Sequence, residues 1–68
     1  MGNKKHLDLR FIQSIKRQRK AKDISQERLA EMVGLSRYSI IRLEKARMIP
    51  RYDNMVKICR VLDLQIPR

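Results

Sequence analysis

The chain contains one cysteine, Cys59, so no internal disulfide can form. A core must come from packed helices or from a partner chain. A lone thiol also suits a reducing, intracellular compartment. No apolar run approaches the roughly 18 residues that a membrane span needs. The N-terminal stretch lacks the apolar centre of a secretion signal. "MGNKKH" starts Met-Gly, but His6 stands where a myristoylation signal wants Ser or Thr. Catalytic groupings are also missing: there is no Ser/His/Asp set, no paired-carboxylate pocket and no glycine-rich phosphate loop. No cluster of metal ligands is present, and His6 alone is no metal site. These absences predict a protein that is not an enzyme and needs no cofactor or metal.

Acidic residues are scarce. Seven Asp and Glu face 17 Lys and Arg, and the net charge is +10 on 68 residues. That length allows one small domain, which buries only about 60% of its unfolded-chain surface. The charge points to a polyanion, with nucleic acid the first candidate and a membrane surface or acidic protein the second. Charge alone does not choose DNA over RNA.

Three segments share one start signal. Asp8 in "LDLRFI", Ser25 in "ISQERL" and Ser36 in "LSRYSI" can each accept a bond from a backbone amide of a first helical turn. An apolar residue precedes each one: Leu7 reaches Ile12, Ile24 reaches Leu29, and Leu35 reaches Ile40, as hydrophobic staples. The first helix is expected from Leu9 to Lys20, with Phe11, Ile15 and Arg19 on one face. The second runs from Gln26 to Val33, with Leu29, Ala30 and Val33 inward. Gly34 ends it, because glycine takes a left-handed backbone without a Cβ clash. The third begins after Ser36, with Ile40 and Leu43 inward. A fourth follows Pro50, its inward stripe being Tyr52, Met55, Ile58, Cys59 and Leu62. Cys59 is then a core residue, and Met32, Met48 and Met55 are packing or interface fillers. The fold class is all-α. Residues 1–6, with Lys4 and Lys5, form a disordered basic arm, residues 7–64 the domain, and residues 65–68 a tail.

Only Gly34, Leu35 and Ser36 join the second and third helices. A turn so short makes the two cross and pack through Ala30, Val33, Ile40 and Leu43, which is a helix-turn-helix. Its second helix is a ridge that fits the DNA major groove, about 12 Å wide. With Ile40 and Leu43 inward, Arg37, Tyr38, Ile41 and Arg42 point outward. Arginine can donate two bonds to guanine. Tyrosine can bond a base or pack on a thymine methyl, and Ile41 offers apolar contact to a thymine or to a neighbouring side chain. Gln26 and Ser36 begin helices, where free amides favour phosphate oxygens. Lys45, Arg47 and Arg51 follow the third helix and can ride the phosphate backbone.

"ISQERLAEMVGLSRYSIIRLEKARMIP" resembles the lambdoid-phage repressor and Cro type of helix-turn-helix domain, also called XRE-like, in its Ser-Gln, Leu-Ala, Gly, Ser, Ile and Glu at these spacings. The resemblance runs from about Phe11 to Leu64. It implies a repressor-like domain of four or five helices that binds a palindromic double-stranded operator as a homodimer. By resemblance, Gln26 and Ser36 match phosphate-contacting positions and Arg37, Tyr38 and Arg42 base-reading positions. Arg19 and Glu44 match an ion pair between the first and third helices. The family often has glycine where Asp23, Ala46 and Asp63 stand here, and an acid where Arg28 stands, which removes the reciprocal capping box.

The expected function is a sequence-specific transcriptional regulator, a repressor where its operator overlaps a promoter, in the cytoplasm of a prokaryotic or phage-infected cell. The rival within the fold is an antitoxin that also holds a toxin partner. "DLQIPR", with Leu64 and Ile66 alternating, fits a strand paired across a dimer or with a partner, or the start of a fifth helix. The rival outside the fold's usual role is a non-specific RNA-binding or protein-interaction module.

Overall fold

Short-range chemistry sets where the helices start and stop. The computed structural model describes residues 9–66. The capping signal of Leu7 and Asp8, the arm with Lys4, Lys5 and His6, and the tail's last two residues lie outside the described residues. Four helices follow in order: α1 Leu9–Ala21, α2 Gln26–Val33, α3 Arg37–Glu44 and α4 Tyr52–Leu62. Ser25 Oγ accepts from the Arg28 amide at 2.9 Å, and Ser36 Oγ accepts from the Ser39 amide at 3.1 Å. Each satisfies one of the four amides that a helix start leaves open. Ile24 and Leu35, the residues before those caps, pack against the core that holds Leu29 and Ile40.

Each of the four helices ends on a left-handed residue, and only one of these is glycine. Gly34 has φ 76°, Asp23 60°, Ala46 59° and Asp63 57°. After α3 the Ala46 amide donates to Leu43 O at 2.9 Å and the Arg47 amide to Arg42 O at 2.8 Å. Together these form a Schellman closure. The turn after α1 repeats it, with Asp23 N to Lys20 O at 2.9 Å and Ile24 N to Arg19 O at 3.0 Å. The three positions where glycine is common in similar domains are thus the three where a side chain bears a left-handed backbone.

The core unites all four helices: Ile15 of α1, Leu29, Ala30 and Val33 of α2, Ile40 and Leu43 of α3, and Ile58 and Leu62 of α4. Helices α1 and α2 each pack against both α3 and α4. Gln18 Nε2 of α1 donates to Leu62 O at the end of α4, 3.2 Å away.

One expected core position is corrected. Tyr52 shares the spacing of the α4 stripe but is 71% exposed. It is the first residue of that helix, and the buried line begins one turn later, at Met55. In α1 the buried line is Ile12, Ile15 and Arg19, whereas Phe11 packs only partly, at the core's edge. Met55 and Cys59 are buried, Met48 is half-buried and Met32 is exposed. Among the described residues no helix or strand follows α4. Residues 64–66 run without regular structure, and Leu64 packs on the core.

Candidate nucleic-acid interface

The outer side of α3 is uncharged or positive. Arg37 and Tyr38 are exposed, Tyr38 by 66%, while Ile41 and Arg42 are half-buried. The partial burial of Ile41 supports a packing role as well as an outward one. Glu44 is the only acid in α3, and its side chain is 3% exposed, turned away from the solvent face.

Glu44 is held by a buried network. Arg19 Nε donates to Glu44 Oε2 at 2.7 Å and Arg19 Nη2 to Glu44 Oε1 at 3.1 Å. A paired fork of this kind fixes direction as well as distance. Arg19 Nη1 also donates to Ile24 O at 2.8 Å. Gln26 Nε2 donates to the same Glu44 Oε1 at 3.1 Å. Hence the Arg19–Glu44 pair joins α1, the turn after it, the first residue of α2 and the last residue of α3. Both charges are nearly excluded from water, their side chains 8% and 3% exposed. Such pairs set geometry more than they stabilise. No buried side-chain polar atom among the described residues lacks a partner.

Arg42 is held twice. Its Nη2 donates to Arg47 O at 3.1 Å, and its guanidinium carbon stands 5.6 Å from the centre of the Tyr38 ring. That is within the range of a cation–π contact, about 6 Å. A guanidinium has five N–H donors, so the bond to Arg47 O leaves others for a base edge. Ser36 Oγ lies 3.1 Å from Ser39 Oγ, in addition to its capping bond.

Lys45, Arg47 and Arg51 are exposed. Arg51 Nε approaches Asp53 Oδ1 at 3.7 Å on open surface, a contact of little energetic weight. Arg28, where an acid was missing, pairs instead with Glu31 at 3.2 Å. Of the sequence-derived site residues, the structure therefore joins Gln26 to Arg19 and Glu44, and Arg42 to Tyr38 and Arg47. Arg37 and Lys45 stand exposed without a side-chain hydrogen bond or ion pair among the described residues. Sequence reasoning did not find the double hold on Arg42 or the link from Gln26. The first depends on the turn after α3 and the second on the meeting of α2 with α3.

Cys59 is buried and its thiol is pushed above the ordinary range by burial, so it stays protonated and packs as an apolar group. Among the described residues no group of three or more His, Cys, Asp or Glu is placed to hold a metal ion. No described helix is long and apolar enough to cross a membrane.

A family model described as helix-turn-helix matches residues 15–67. No curated protein matches the chain.

Proposed function

The chain belongs to the XRE-type helix-turn-helix family, a family of DNA-binding regulators, and from that premise we propose that it is a sequence-specific transcriptional repressor whose α3 enters the major groove. The observation that carries this reading is the acid-free outer face of α3, with Arg42 already aimed by Tyr38 and by Arg47 O. In the proposed complex Arg37, Tyr38 and Arg42 read base edges and Ile41 meets a thymine methyl. Gln26 and Ser36 at two helix starts, with Lys45, Arg47 and Arg51 after α3, fix the register on phosphates. Through Glu44, the position of Gln26 against α3 is set before DNA arrives.

One such domain touches few base pairs. The reading therefore includes a homodimer on a palindromic operator, with half-sites about 10 base pairs apart, inside a prokaryotic or phage-infected cell. Repression follows where that operator overlaps a promoter.

Selection of bound duplexes from a random library, near physiological salt, tests this. Enrichment of a palindrome with that spacing is expected. Salt-sensitive binding with no enriched sequence would instead indicate a phosphate binder that does not read.

A further inference from the structure

An open groove of about 460 Å³ runs between the outer face of α1 and the end of α3. Lys16, Arg17 and Lys20 line it from α1, and Lys45 and Ala46 from beyond α3, with Glu44 alongside. Glu44 does not neutralise them, because its carboxylate is committed to Arg19 and Gln26. Lys16, Arg17, Lys20 and Lys45 are all exposed, and among the described residues none has a side-chain hydrogen bond or ion pair. The partial negative charge at the end of α3 is worth about half a charge and cannot offset four cations. Like charges one turn apart, as in Lys16 and Lys20, repel along a helix. This arrangement is unfavourable in the free protein and is relieved by a polyanion.

We infer that this groove is a second DNA-backbone site, in which Lys16, Arg17 and Lys20 grip phosphates flanking those held by Lys45. The inference rests on the DNA-binding reading above and adds α1 to the interface. Lys45 directly follows the reading helix and lies in the same groove as the α1 cations, so a strand passing Lys45 continues onto α1. Three cations fall within about 6 Å of helix axis, enough to face the one phosphate per about 3.4 Å that a single strand of duplex DNA carries. The groove is too open to seal a small molecule from water, whereas a phosphate strand needs only one charged side.

The test is the salt dependence of binding to the selected duplex, measured for the wild-type chain, for Lys16→Gln/Arg17→Gln/Lys20→Gln, and for Lys57→Gln/Arg60→Gln. The last pair removes exposed charges of α4, which does not line the groove. Circular dichroism melts establish that each variant is folded. Each phosphate contact contributes about 0.9 to the slope of log K against log salt. The triple variant is expected to lose up to about 2.7 per bound protomer from that slope and to keep its ratio of selected to scrambled sequence. The α4 variant is expected to keep most of its slope. Shortening the duplex flanks should weaken the wild type and leave the triple variant unchanged. A triple variant with a wild-type slope overturns the inference while the function stands. So does one that keeps its slope but loses binding to an acidic polypeptide such as polyglutamate, which would give the groove to a protein partner. Equal drops in slope for both variants also overturn it, because net charge alone would then explain the loss. A wild-type chain that prefers no sequence defeats the functional reading itself.

Discussion

Arg42 shows how a single residue can serve the free protein and its complex. Its bond to Arg47 O and its place over Tyr38 restrict a long side chain before binding, so less rotamer entropy remains to be lost on DNA. Arg42→Ala should cost about 1–3 kcal/mol of discrimination at one base position. Stability should change by only about 1 kcal/mol or less, the usual net worth of one hydrogen bond. Arg42→Lys should behave almost like Ala in specificity while keeping general affinity, since an ammonium lacks the planar fork. Binding across a panel of single-base operator variants measures this. Equal weakening on every member of the panel would remove Arg42 from base reading.

Among the elements, the turn after α3 is the most strained relative to its sequence. Ala46 holds φ 59° with a methyl group and no local hydrogen-bonding side chain to favour that conformation. Asp23 and Asp63 bear the same backbone with side chains that tolerate it better. Ala46→Gly should therefore stabilise the domain by about 1 kcal/mol, raising Tm by about 4–8 °C for a chain of this size. Gly34→Ala should lower it by a similar amount. A Cβ at Gly34 would meet nothing within 4 Å, so the cost there is purely conformational. Melts of the two variants should move in opposite directions, and a neutral Ala46→Gly would show that the surrounding contacts absorb the strain.

At the scale of the whole molecule, the Arg19–Glu44–Gln26 network fixes how the two halves of the helix-turn-helix sit on α1. Removing one partner of a buried pair typically costs about 3–5 kcal/mol, and small domains have about 0.05–0.15 kcal/mol per residue in all. Arg19→Met or Glu44→Gln alone should bring the chain close to unfolding at growth temperature. Arg19→Met with Glu44→Leu should recover much of the loss and yet bind DNA less tightly, because Gln26 no longer has its anchor on α3. Thermal melts and operator affinity of the three variants decide this. A double variant as unstable as the single ones would mean that the pair stabilises the fold rather than setting its geometry.

Ser25, Ser36, Gly34 and the apolar positions of α2 and α3 could be read directly from the sequence. Caps, staples and left-handed stops act within four or five residues, so the chain's local order contains them. The family pattern was legible for the same reason, since its signature residues lie within one continuous stretch. Tyr52 was misplaced because periodicity gives a face but not where along a helix the core begins. The hold on Arg42 depended on how the backbone turns after α3, which Ala46 concealed by standing where a glycine would have marked the turn. The bond from Gln26 to Glu44 and the groove joining Lys16, Arg17 and Lys20 to Lys45 needed the tertiary structure. Their partners are 18 or more residues apart in the chain, and only the packing of α1 and α2 against α3 brings them within reach.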